Sequence, residues 1–178
     1  MTRTLYQTLL GPAFDRLPEP IRSMHASARR AEGRADIVRG TSLLARLICL
    51  IARVPQTGRD VNVVTHFEQI EGGERWTRIF NGEAFRTDMR VDMSSMPPRL
   101  TEKFGPFLFH LKMIAHQGGI DLIPDSVSLW GFSLSKVFCP EAIGLERVKD
   151  GCYHFEVSVR FPLAGEILSY SGTIEPAA

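Results

Sequence analysis

Glu74-Arg75-Trp76-Thr77-Arg78-Ile79-Phe80-Asn81-Gly82 is the stretch whose reading decides the fold. Alternating side chains run into Asn-Gly, a pair that supplies the two positive φ angles of a type I′ turn, so one arm of a β-hairpin is predicted. That turn sets Arg78 opposite Phe85, Trp76 opposite Thr87 and Arg75 opposite Asp88. Upstream, a turn at Glu71-Gly72 sets Phe67 opposite Trp76 and Glu68 opposite Arg75, a better charge pairing than the register opposing Glu71 to Glu74. Glu74, Trp76, Arg78 and Phe80 then share one face with Phe67, Phe85, Thr87 and Met89. Charges on an apolar face mark either a ligand pocket or a specific buried bridge.

Working outward, the chain after Pro55 reads as further strands. They are Val61 to Ile70, Phe107 to Ala115, Ile120 to Ile123, Ser126 to Phe132, Tyr153 to Phe161 and a last run through Leu168, Tyr170 and Ile174. Short connections with no helix between them imply an antiparallel meander, which must curl or close to hide its edges. Before Pro55 the pattern is helical. Gly11-Pro12 breaks a first helix, Pro18 and Pro20 open a second through Met24 and Ala28, and Thr41 or Ser42 caps a third. Arg39, Arg46 and Arg53 recur at seven-residue spacing as one polar stripe of that third helix, and Leu43, Leu44, Leu47, Ile48, Leu50, Ile51 and Val54 cover most of the rest. This predicts a helix packed into the core, with membrane-surface binding as the alternative. The expected fold is α+β in one domain, 1–178. A helical segment 1–55 packs on a strongly curved antiparallel sheet or partial barrel, 56–178, of about seven to nine strands.

Composition narrows the function classes. Hydrophobic residues at 44% and charged residues at 23% are ordinary globular values. A net charge of +1 gives no overall attraction to nucleic acid. The charge is uneven, net +5 over residues 1–60 and −4 beyond, as for a basic segment docked on a mildly acidic sheet. Cys49, Cys139 and Cys152 are odd in number and lack C-x-x-C spacing, so neither a disulfide framework nor a zinc motif is expected. Residues 1–14 have no apolar run of signal-peptide length, and the run Thr41 to Val54 is too short and too charged to span a bilayer. A cytoplasmic location without a transmembrane segment is therefore expected.

No dinucleotide fingerprint, phosphate loop, nucleophile elbow or H-E-x-x-H motif is present, so no catalytic residue, metal or cofactor is predicted. His110 and His116 lie six residues apart on a strand pattern, too far to share a metal without a sharp bend. The candidate site is the mixed face. Trp76 packs against an apolar body while Arg78 orients a polar head, with Tyr170 offering a hydroxyl to the same cavity. Glu74 lies about 13 Å from Arg78 along an extended strand, so the guanidinium needs another partner. The alternatives are a structural acid such as Glu102, the rim, or a ligand. His25 with Arg29, Arg30 and Arg34 forms a second candidate, an anion site where the second helix meets Gly33.

Several pieces in combination resemble a known family. They are Leu9-Leu10-Gly11-Pro12-Ala13-Phe14 with Leu17-Pro18 and His25, Gly33-Arg34-Ala35-Asp36 with Arg39-Gly40, and Leu44-Ala45 through Pro55. Glu74-Arg75-Trp76-x-Arg78-x-Phe80, Glu102-Lys103-Phe104-Gly105-Pro106 and Pro162-Leu163-Ala164-Gly165 with Tyr170-x-Gly172 complete the set. Together they resemble the bacterial DUF4166 family, a domain of unknown function. Trp130-Gly131-Phe132-Ser133-Leu134-Ser135 departs from the family pattern in carrying serine where that pattern has proline. Relatives fused behind NAD(P)-binding dehydrogenase-like domains imply an accessory role, and the resemblance brings no catalytic residues. The leading expectation is a non-enzymatic domain that binds a small hydrophobic or lipid-like ligand inside the curved sheet. Two others stand beside it: an interaction module for an NAD(P)-dependent oxidoreductase partner, and an enzyme assembled from His25, Glu102 and Arg78.

Overall fold

The computed structural model describes residues 3–177; positions 1, 2 and 178 of the expected domain lie outside the described residues. Strands β1 (Arg30–Arg39), β2 (Gly58–Ile70), β3 (Gly73–Phe80), β4 (Glu83–Asp92), β5 (Arg99–Phe104) and β6 (Phe107–His116) lie side by side in sequence order. Strands β7 (Gly119–Leu129), β9 (Glu141–Lys149), β10 (Cys152–Phe161) and β11 (Gly165–Pro176) continue the sheet, β11 pairing with β1. β6 then pairs antiparallel with β7 from Phe107↔Leu129 to His116↔Gly119, which closes the ring. β8 (Phe132–Ser133) is a stub paired to β7. The curved sheet is thus a closed antiparallel barrel of ten strands, not a partial one of seven to nine.

Both hairpins around β3 take the expected registers. Phe67 faces Trp76 and Glu68 faces Arg75 on one side, and Arg78 faces Phe85 and Arg75 faces Asp88 on the other. The extra strands come from β1, β5 and β9. β1 lies inside the segment expected to be helical, because its inward positions Ala31, Gly33 and Ala35 are too small to register as an apolar alternation. Small residues are needed there. A Cβ on Gly33 would sit 1.9 Å from the Thr173 carbonyl oxygen, so β1 and β11 approach more closely than any side chain allows.

The two ends of the barrel differ. The lower end carries the turns at 71–72, 117–118 and 150–151 and is plugged by α1 (Leu5–Leu10), a 3-10 turn (Gly11–Arg16) and α2 (Glu19–Ala26). Thr4 caps α1 in a reciprocal box with Gln7, and Gly11-Pro12 ends it as the breaker predicts. Leu5, Tyr6, Ile21, Met24 and His25 of this plug are buried in the barrel core. The upper end carries the turns at 81–82, 105–106, 130–131 and 162–164 and is crossed by α3 (Leu43–Ile51), inserted between β1 and β2.

α3 overturns the expectation of a core helix. Ser42 caps it as predicted, but the helix buries only its small residues, Ala45 and Cys49, against β11. Leu43, Leu44, Leu47, Leu50 and Ile51 face outward. Arg39 belongs to β1 and staples the carbonyls of Val54 and Pro55, so it does not continue a stripe through Arg46 and Arg53. Among the described residues no helix is long and apolar enough to cross a membrane.

Candidate functional site

Three carboxylates project into the barrel, and the chain treats them differently. Glu146, from β9, accepts the Tyr6 hydroxyl at 2.8 Å and meets His25 Nε2 at 2.6 Å, with both side chains nearly inaccessible. Glu74, from β3, accepts the Leu5 amide at 3.2 Å, Gln69 Nε2 at 3.0 Å and Trp76 Nε1 at 3.2 Å. These two acids therefore pin α1 and α2 into the lower end. Buried carboxylates are tolerable because donors from the plug satisfy them. Tyr6 stacks on His25 with ring centroids 3.6 Å apart and planes 9° apart, and Trp76 lies nearly parallel 5.6 Å from His25.

Arg78 and Glu102 sit one layer further in, where no such pairing exists. Arg78 Nη1 donates to Thr87 Oγ1 at 3.1 Å, and its Cζ stands 5.0 Å from the centre of the Trp76 ring. Among the described residues no carboxylate lies within 4.0 Å of the guanidinium, so Glu102 is not its direct partner. Burial disfavours the cation, but the surrounding Tyr170, Glu102 and Tyr153 outweigh it and hold Arg78 protonated. The remaining donors of the half-buried Arg78 face a partly open space of about 100 Å³ that Glu102, Thr87, Tyr153 and Tyr170 also line. Its other walls are mostly apolar, including Phe85, Phe104, Phe109, Phe155 and Leu168, with Tyr6, Thr65 and Glu146 as polar exceptions.

The space reaches the wall between β7 and β9, where Leu122, Pro124 and Ala142 line it. β7 and β9 pair only from Gly119↔Arg147 to Leu122↔Gly144. Above Leu122 the strands part: Pro124 has no amide hydrogen to offer, and β7 turns instead to β8. A gap in the hydrogen bonding thus faces the cavity near the upper end.

Of the residues singled out in the sequence, Trp76, Arg78, Glu102 and Tyr170 line one cavity, while Glu74 and His25 do not reach it and line a separate cleft at the lower end with Thr4, Met24 and Gln69. The proposed cluster of His25 with Arg29, Arg30 and Arg34 does not assemble. His25 points inward to Glu146, whereas Arg30 pairs with Glu32 and Arg34 with Asp60 at the surface. Nor do His25, Glu102 and Arg78 make an acid–base constellation, since His25 is occupied by Glu146. Glu146, Tyr6 and Tyr153 went unpredicted. Glu146 sits on β9 as Ala142, Gly144 and Glu146 facing in and Ile143 and Leu145 facing out, an inverted hydropathy pattern.

All three tyrosines of the chain are buried. Burial first, then the charge of Glu146, pushes Tyr6 and Tyr153 well above the ordinary phenol range; burial also raises Tyr170. The native state thus holds these protons more tightly than the unfolded chain. Their contribution to stability is complete below the unfolded phenol value of about 10 and is lost as pH rises beyond it. Absorbance at 295 nm is expected to stay flat until the barrel unfolds in alkali, and then rise in one step for all three. A gradual rise from a folded protein would show a tyrosine in contact with solvent.

A family described as a domain of unknown function, DUF4166, matches residues 17–174, nearly the whole barrel and α2. No curated protein and no solved structure matches the chain.

Proposed function

The chain belongs to the DUF4166 family, and we propose that this member binds a small hydrophobic or lipid-like molecule with its polar head at Arg78. The observation that carries this reading is a guanidinium held inside an apolar-walled barrel without a carboxylate partner among the described residues. A purely structural cation would be expected to meet a carboxylate of the protein, as Arg75 meets Asp88 through Nε and Nη2. Arg78 instead keeps donors free toward the cavity, beside the acceptor Glu102 and two hydroxyls. An acidic head would neutralise the cation, and Tyr153 and Tyr170 would orient it. The polar head would sit in the 100 Å³ space beside Arg78, and the apolar body would lie toward the gap between β7 and β9.

The reading of an accessory module for an oxidoreductase needs a docking surface. Its sheet-edge version is narrowed, because among the described residues closure of the ring leaves open edges at the two-residue β8 and along the gap between β7 and β9. Its basic-helix version is weakened too, since α3 itself carries one arginine, Arg46.

Mass spectrometry of the gently purified chain tests the ligand reading. A co-purifying apolar acid, released on denaturation and absent from an Arg78→Leu variant, is the expected result. Recovery of no bound molecule, together with a solved structure whose core is solid, overturns it.

A further inference from the structure

The upper end of the barrel presents apolar side chains that none of the described residues covers. α3 turns Leu43, Leu47 and Leu50 to solvent at 84%, 51% and 75% exposure, on the face opposite its buried Ala45 and Cys49. These positions follow one another at helical spacing, so they form a single stripe. A second tip comes from the β7–β9 connection, where Trp130 and Phe132 are 67% and 79% exposed. Trp130 and Gly131 occupy the turn at φ of 49° and 84°, and a bulky residue rarely takes that conformation. The tips share one end of the barrel. Ser42 before α3 donates to the Ala164 carbonyl, Gly105 lies against Ala52 after α3, and the Trp130 amide donates to the Pro106 carbonyl. Soluble chains rarely leave so much contiguous apolar surface bare without a use for it.

Charge and shape identify the occupant. Residues 40–57 and 130–140 contain no acid, and each carries exposed cations: Arg46 and Arg53 in the first, Lys136 in the second. Of the acids at this end, Glu83 accepts the Gln56 amide, Glu166 accepts Ser169 and Asp60 pairs with Arg34, while Glu141 at the start of β9 is exposed. Apolar tips mixed with cations, on separate protruding segments and including an exposed tryptophan, match the boundary of an anionic bilayer. A symmetric contact with a second copy would bring the same cations together, which disfavours it.

We propose that the barrel docks by its upper end on an anionic lipid surface, with α3 lying in the interface and Trp130 and Phe132 inserted beside it. The gap between β7 and β9 opens toward the same end, so a docked barrel would take up or release its ligand directly from lipid. This last step rests on the ligand reading; the docking does not.

The test is flotation of the full chain with vesicles of mixed phosphatidylcholine and phosphatidylglycerol, alongside its fluorescence. The chain has two tryptophans, and Trp76 is buried, so a blue shift on adding vesicles reports Trp130 and should vanish in Trp130→Phe. Leu47→Asp with Leu50→Asp changes only exposed positions and should abolish flotation while leaving the thermal midpoint unchanged. Arg46→Gln and Arg53→Gln should each weaken binding about fivefold on anionic vesicles and leave it unchanged on neutral ones. No flotation and no shift overturns docking. So does a dimer in light scattering that the two leucine substitutions convert to monomer, which would assign the face to a second copy. Ligand recovery by mass spectrometry is read separately, so docking and the cavity can each fail alone.

Discussion

Glu146→Ala is expected to cost about 3–5 kcal/mol of stability, the usual loss when one member of a buried pair is removed and the other left unsatisfied. Against a typical total of about 5–15 kcal/mol, that is a large share. The reason is geometric. One carboxylate satisfies both the Tyr6 hydroxyl, at 2.8 Å, and His25, at 2.6 Å, and these two residues sit on different helices. Removing it leaves two buried polar groups facing apolar walls and unpins α1 and α2 from the barrel together. Glu146→Gln keeps an acceptor and should lose much less. Urea midpoints read the difference, and limited proteolysis should show cleavage before Arg30 in the alanine variant only. The tyrosine titration offers a second readout, since Tyr6 and Tyr153 would lose the part of their upward shift that Glu146 supplies beyond burial. A loss below about 1 kcal/mol, the worth of an ordinary hydrogen bond, would mean that packing of Leu5, Ile21 and Met24 alone holds the plug.

This pair also shows where sequence reading stopped. His25 and Glu146 are 121 positions apart, and neither lies in a spacing that implies the other. The hairpins around Trp76 were readable because their information is local: Asn81-Gly82 supplies the turn, and Glu68, Arg75 and Asp88 supply a charge ladder that fits one register. β1 and β9 were not, because the usual rule of large apolar residues inward is reversed there. Ala31, Gly33 and Ala35 face in on β1, and Ala142, Gly144 and Glu146 on β9, leaving room for the larger side chains of the opposite wall and for the cavity. α3 misled for the same reason. Its leucines suggest burial, yet the surface of the barrel end admits only Ala45 and Cys49. Closure was equally hidden, since β6 meets β7 through an ordinary hairpin and the ring is completed by β1 with β11 and by β7 with β9. Hydropathy reports how large a side chain is and how much it avoids water. It does not report which face a closed, tightly coiled sheet has room to bury.

Arg78→Leu separates a binding cation from a structural one by the sign of its effect. If Arg78 serves the fold, leucine loses the Thr87 hydrogen bond and the Trp76 cation–π contact, together about 1–3 kcal/mol. If it serves a ligand, the empty barrel carries a desolvated charge that leucine relieves. Glu102 complicates the single change, because its carboxylate lines the same space and would lose the compensating field of the guanidinium. The informative variant is therefore Arg78→Leu with Glu102→Gln, which removes both charges and keeps the volume nearly constant. Replacing buried charges by groups of similar size is often neutral or stabilising by about 1–4 kcal/mol. The ligand-free double variant is expected to unfold at higher urea than the ligand-free parent, and above Arg78→Leu alone, with a coupling of about 0.5–3 kcal/mol between the sites. It should also retain no co-purifying molecule. A double variant less stable than the ligand-free parent by 2 kcal/mol or so, within the range of a lost charged hydrogen bond, would place Arg78 among the residues that hold the barrel together.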